Sequence, residues 1–269
     1  MTEQNRLHAE RLTLTYDQRV VAEDLAVTIP DGSFTVLVGP NACGKSTLLR
    51  ALARVIRPKA GTVYLDGAAI SSYPAKEVAR RLGLLPQTSV APGGITVGDL
   101  VARGRYPHQR LLRQWSAADE AAVAQAMHLT GVRELSDRFV DELSGGQRQR
   151  VWVAMVLAQE TPLLLLDEPT TFLDIAHQIE VLDLCAELHE QRGHTLVAVL
   201  HDLNHACRYA THLIAMGAGG RIVARGEPSE IVTAELVAEV FGLKCRVITD
   251  PESGTPLIIP AARARVMLS

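Results

Sequence analysis

Phe34-Thr-Val-Leu-Val-Gly-Pro-Asn-Ala-Cys-Gly-Lys-Ser-Thr-Leu-Leu-Arg-Ala-Leu-Ala53 passes from an apolar run of strand length, through a glycine-containing turn, into a helical pattern. Its middle, Gly39 to Thr47, fits G-x-x-x-x-G-K-[ST]. The glycines let backbone N–H groups turn inward around phosphate oxygens. The helix that begins near Lys45 adds unpaired N–H donors and the positive end of its dipole. Gly39, Pro40, Asn41, Ala42, Cys43, Gly44, Lys45, Ser46 and Thr47 are therefore the candidate phosphate cradle. Lys45 is expected to reach the β- and γ-phosphates, Ser46 to ligate Mg²⁺, and Thr47 to bond a phosphate oxygen. Cys43 suits a small side chain packed away from the phosphates; a reactive thiol at a helix N-terminus is the alternative.

The pattern continues on both sides. Leu163-Leu-Leu-Leu166 and Thr195-Leu-Val-Ala-Val-Leu200 are continuous apolar runs, as strands buried on both faces of a parallel sheet require. Between them Asp174 to Gln191 has helical spacing, with Ile175, Ile179, Leu182, Ala186 and Leu188 on one predicted face and Gly193 at the helix end. Strand and helix alternating in this way imply an α/β fold. The first thirty residues differ: Leu12–Tyr16 and Leu25–Ile29 alternate apolar and polar residues and read as half-exposed antiparallel strands, continued by Gly61–Gly67. Residues 97–158 are mostly helical and read as an inserted helical subdomain, and Cys245–Pro260 reads as two short strands around Pro251-Glu-Ser-Gly254.

Composition narrows the function classes. Of 269 residues, 47% are hydrophobic and 21% charged, enough for a real core and unlike a disordered chain. Aromatics at 4% and a net charge of −3 argue against a base-stacking or basic nucleic-acid binder. No apolar run approaches the roughly 18 residues that a membrane span needs, and the polar start Met1–Arg6 lacks the apolar core of a signal peptide. Cys43, Cys185, Cys207 and Cys245 are too scattered for a zinc ribbon or disulfide framework and suit a reducing cytosol.

Two further motifs carry chemistry. Leu163-Leu-Leu-Leu-Asp-Glu-Pro169 is an apolar strand ending in two carboxylates, whose side chains alternate in direction. Asp167 is placed to hold Mg²⁺ through water, and Glu168 to orient or deprotonate an attacking water. In Leu143-Ser-Gly-Gly-Gln-Arg-Gln-Arg150, Ser144 is a natural N-cap, and Val151, Ala154, Met155 and Ala158 give the next helix an inward face. A Ser-Gly-Gly helix start is a second anion-binding device in one chain.

With these motifs together the sequence resembles the nucleotide-binding subunits of ABC transporters over roughly residues 6–235. The resemblance implies a P-loop NTPase with a RecA-like parallel-sheet core, an N-terminal antiparallel β-subdomain and an inserted helical subdomain. It implies a cassette over 1–240, with the insert at about 88–158, and a hairpin-like tail over 241–269. It assigns Ser144, Gly145, Gly146 and Gln147 to the signature, Tyr16 to an aromatic stacked on adenine, Gln87 to the Q-loop, Thr171-Phe-Leu-Asp174 to the D-loop and His201 to the switch histidine. Gln87 then also touches Mg²⁺ and is the hinge towards the helical insert. The family's D-loop more commonly starts with serine. Tyr16 has the plainer reading of a half-buried strand residue, and His177 and His205 that of surface or packing residues.

The family arrangement implies a homodimer, packed head to tail, in which the Ser144–Gly146 turn of one copy covers the γ-phosphate held by Lys45 of the other. It implies ATP and Mg²⁺ as ligands, two multispanning permease subunits, a substrate-binding protein acting indirectly, and a peripheral location on the cytoplasmic face of the inner membrane. The region Val97–Arg105 would form a groove for a short permease helix. The stretches Arg103-Gly-Arg-Tyr-Pro-His108, Asp167 to Gln178 and His201-Asp-Leu-Asn204 resemble iron–siderophore importers, with haem and cobalamin importers closely similar. A soluble ABC ATPase of ribosomes or DNA repair and a small-molecule kinase are the competing classes; net charge and few aromatics oppose the first, and the signature opposes the second.

Overall fold

The computed structural model describes residues 5–16, 19–88, 90–109, 115–171 and 173–262. Among these, the antiparallel N-terminal sheet has β1 (Leu7–Tyr16) paired with both β2 (Arg19–Ile29) and β4 (Ala60–Leu65), which pairs in turn with β5 (Ala68–Ala69). The alternating pattern of β1 and β2 arises because one face covers the core and the other meets solvent.

The main sheet orders its strands β10 (Ile222–Gly226), β9 (His212–Met216), β3 (Phe34–Val38), β8 (Thr195–Val199), β7 (Leu163–Asp167) and β6 (Leu82–Leu85). All neighbours are parallel except β10 against β9. Leu196 and Ala198 of β8 join one core, while Val197 and Val199 join the core on the opposite face. This double burial is why the central strands are apolar at nearly every position. One core takes in α1 (Lys45–Leu52) and the antiparallel sheet; the other takes in helices α5 (Gly145–Leu157), α6 (Ile175–Arg192) and α7 (Leu203–Tyr209).

Two predicted faces differ in detail. In α6 the buried residues are Val181, Leu182, Leu184, Cys185 and Leu188, whereas Ile175 is 77% exposed and Ile179 and Ala186 are half-buried. Burial along α6 begins only at Val181, so its first turn has no buried residue. Helix α5 buries Val151, Trp152, Val153, Ala154 and Val156 within it and Ala158 just beyond, with Met155 half-buried. It is covered by β6 on one side and by α3 (Val97–Ala102) and α4 (Ala117–Leu129) on another. Asp174 caps α6, and Gly193 ends it with φ 67°, a left-handed conformation that glycine adopts freely. Between β5 and β6 lies α2 (Ala75–Ala79), and after β10 come α8 (Pro228–Ile231) and α9 (Ala234–Phe241). Strands β11 (Cys245–Thr249) and β12 (Pro256–Pro260) form an antiparallel hairpin against α7 and α9. No helix among the described residues is long and apolar enough to cross a membrane.

The segment Arg103–His108 fastens the helical layer. The Arg105 guanidinium is buried and donates to Asp119 of α4 at 2.9 Å, to the Ala158 carbonyl at 2.7 Å and to Glu160 at 2.6 Å. Hydrogen bonds from Ser116 and then from Arg105 hold the Asp119 carboxyl down to about 2. Its unfolded value is 3.8, so this contribution is complete above that pH and is lost as pH falls towards 2. Arg105→Ala leaves Asp119 buried without its cation and is expected to lower the unfolding free energy by about 3–5 kcal/mol. Urea unfolding checks this, and a loss below about 1 kcal/mol, the scale of an exposed pair, contradicts the burial argument.

Candidate functional site

Four strands deliver the site from their C-terminal ends, where open α/β sheets bind ligands. Strand β3 runs into the Gly39–Thr47 loop, β6 into Gln87, β7 into Asp167 and Glu168, and β8 into His201. Asn41, Ala42, Gly44, Lys45, Ser46, Thr47, Gln87, Glu168 and His201 line one pocket of about 370 Å³.

The loop closes tightly on the sheet. A Cβ on Gly39 would run into the Met216 carbonyl oxygen, and Gly39 has φ 152°. Gly44, at φ 104°, precedes α1 without any side-chain cap, so the first-turn N–H groups of the helix face the pocket uncapped. The Lys45 ammonium folds back over the loop and donates to the carbonyls of Gly39 at 2.8 Å and Pro40 at 2.9 Å. Cys43 is buried in the core with Leu37 and Leu48, which agrees with the packing role and not with an accessible thiol.

The two carboxylates part company as strand alternation predicts. Asp167 is fully buried; Arg50 of α1 donates to its Oδ2 from Nε at 3.2 Å, while Oδ1 is buried with no hydrogen-bond partner. Glu168 has φ 55°, a left-handed backbone costing an L-residue about 1–2 kcal/mol. The turn aims its carboxylate into the pocket, where Oε2 accepts from Gln87 at 2.7 Å and from Thr171 at 3.0 Å, and Oε1 lies 2.8 Å from His201 Nε2. Gln87 and His201, far apart in sequence, thus meet on one carboxylate above the phosphate loop.

The remaining predicted residues lie outside this pocket. Ser144 and Gln147 form a reciprocal cap: Gln147 N donates to Ser144 Oγ at 3.3 Å and Ser144 N to Gln147 Oε1 at 3.1 Å. Ser144 and Gly145 are exposed, and Gly146 is buried. Asp174 is also exposed; hydrogen bonds from the His177 backbone, then its side chain, hold its carboxyl below the usual range. Tyr16 ends β1 and is 61% exposed, so the half-buried reading does not hold. Phe172 of the predicted D-loop lies outside the described residues.

Two residues escaped the sequence reading: Arg50 on Asp167, and Phe241, which lines a second opening with Gly39, Pro40, Asn41 and His201; Thr171 is named as the start of the D-loop, but not for its bond to Glu168. Only Arg50 carried a signal, as a cation one turn into the helix after the phosphate loop.

The ABC transporter family profile matches residues 22–171. The chain is 60% identical to the ferric enterobactin transport ATP-binding protein FepC of Escherichia coli (strain K12) over 96% of this chain and 95% of that protein. Its fold is similar to an ABC transporter assigned to the metal-chelate type in an inward-facing conformation, with TM-score 0.82 and 29% identity over 96% of this chain and 98% of the other. It is also similar to the dimeric structure of the bacterial ABC transporter cassette MJ0796, with TM-score 0.71 and 25% identity over 82% and 98%.

Proposed function

This chain belongs to the ABC transporter family, and we propose that it is the ATP-hydrolysing subunit of an importer for ferric siderophores. The observation that carries the catalytic half is the convergence of Gln87, Thr171 and His201 on Glu168 beside the phosphate loop. The similarity to FepC supports the substrate class.

In this reading the loop amides from Gly39 to Thr47 and the Lys45 ammonium bind the β- and γ-phosphates, displacing the ammonium from its own carbonyls. Tyr16, exposed at the end of β1, stacks on adenine. Glu168 takes a proton from the attacking water, and His201 exchanges its contact with Glu168 for one with the γ-phosphate. The residues fit Mg²⁺: Ser46 and Gln87 line the pocket, and the unpartnered Asp167 Oδ1 suits a metal-bound water. When bound, Mg²⁺ neutralises charge on the β- and γ-phosphates. The division at residue 240, with a helical insert over about 88–158, belongs to the same reading and is supported by α3–α5 lying between β6 and β7.

The exposed Ser144 turn has no ligand within its own chain to cover, so two copies packed head to tail complete each site. Asp174 stands on that same surface. Two membrane permeases, reached through Gln87 and the exposed Asp99 and Arg103, carry the cargo, and a substrate-binding protein presents it; the rest of Val97–Arg105 is largely buried and does not form the expected groove. The subunit therefore works on the cytoplasmic face of the inner membrane. Ser144→Arg is expected to reduce hydrolysis by about 10²-fold or more by obstructing the second copy's phosphate, while nucleotide binding to single chains is retained. Full ATPase activity in that variant contradicts the shared site. The function itself is tested in vesicles holding the complete transporter. A ferric siderophore on its binding protein should stimulate ATPase and enter the vesicle; stimulation by haem or cobalamin alone moves the cargo, and none by any of the three refutes the importer.

A further inference from the structure

The surface presented to a second copy is built from two turns of the chain, and one side chain joins them. His177 Nδ1 lies 2.6 Å from Asp174 Oδ1, and the His177 backbone N–H donates to that same oxygen at 3.0 Å. This double contact fixes the imidazole at the start of α6. The ring then lies flat against Gly146: a Cβ built there would collide with ring carbon Cδ2 and stand 2.7 Å from Cγ. Gly146 is buried, while its neighbours Ser144 and Gly145 are exposed. Besides this ring, the reciprocal cap holds the turn within its own helix, and Arg148 reaches back to the carbonyls of Asp141 and Leu143 just before it.

We propose that His177 is a positioning residue that locks the Ser144–Gly146 turn to Asp174 of the same chain, so that both surfaces reach a second copy as one rigid unit. This rests on the shared-site reading of the preceding subsection. A histidine serves where leucine would not, because it must donate to a carboxylate through one edge and leave a flat face for a glycine backbone. Glycine is required at 146 by the ring as well as by any phosphate.

The test uses the full chain. Amide exchange over residues 143–148 is measured in the ADP-bound protein and in His177→Ala, which keeps the helix-forming backbone of α6. The lock predicts exchange about tenfold faster in that segment, with the Gly39–Thr47 loop and ADP affinity unchanged. His177→Phe, which keeps a ring but loses the bond to Asp174, should fall between. In a Glu168→Gln background, the ATP-driven dimer of His177→Ala should then be about tenfold weaker. Unchanged exchange over 143–148 overturns the lock whatever the dimer does. Faster exchange with an unaffected dimer overturns its role in presenting the surface. A Glu168→Gln parent that never dimerises refutes the shared site instead, and the exchange result still decides whether His177 holds the turn.

Discussion

In Glu168→Gln, ATP hydrolysis is expected to fall by about 10²–10⁴-fold while ATP binding is kept. The amide has nearly the shape of the carboxylate, so it can still accept from Gln87 or Thr171 and face His201. The left-handed backbone at 168 is equally available to glutamine. What disappears is the basic oxygen that takes a proton from water. In the proposed function the phosphates are positioned by a different set of groups, the Gly39–Thr47 amides and Lys45, which the substitution leaves alone. Phosphate release under single-turnover conditions measures the loss, and calorimetry measures the retained affinity. Turnover within tenfold of the unaltered protein would place the base elsewhere.

Lys45→Ala has the complementary effect. Lys45 is 5% exposed, and its ammonium is bonded to two carbonyls of its own loop and to the Cys43 sulfur, with no carboxylate among the described residues to balance its charge. A buried cation left in that state is held in readiness for an anion. Charge-assisted hydrogen bonds of this kind contribute about 1.5–3 kcal/mol each, so ATP affinity is expected to fall by at least about tenfold to a hundredfold. Alanine is compatible with α1, and no side-chain cap is lost, so thermal unfolding without nucleotide should move little. Titration calorimetry with ATP checks the prediction; a dissociation constant within twofold of the unaltered protein contradicts the placement of Lys45 at the phosphates.

The sheet was legible because doubly covered strands must be apolar throughout, as at Leu163–Leu166 and Thr195–Leu200, and because the phosphate loop marks where a strand yields to a helix. The antiparallel strands were legible from alternation. The inward face of α6 was misread because periodicity alone does not tell where along a helix burial begins, and Ile175 lies before that point. In the site, motif residues could be named one by one, but their meeting on Glu168 depends on strand order, which brings Gln87 and His201 to the same carboxylate from β6 and β8. Thr171 is named in the D-loop and Arg50 follows the phosphate loop, but only the fold sets them beside Glu168 and Asp167. His177 reads as a surface or packing residue, and the fold shows what it packs on, Gly146.

In the proposed function, no nucleotide site is complete within one chain. Glu168→Gln protein at saturating Mg·ATP, weighed by light scattering or sedimentation, measures this most directly, with bound nucleotide counted in the same sample. The mass of two chains with two ATP retained is expected, returning to one chain's mass in ADP. A single-chain mass at saturating ATP, unchanged when the membrane subunits are supplied, contradicts it.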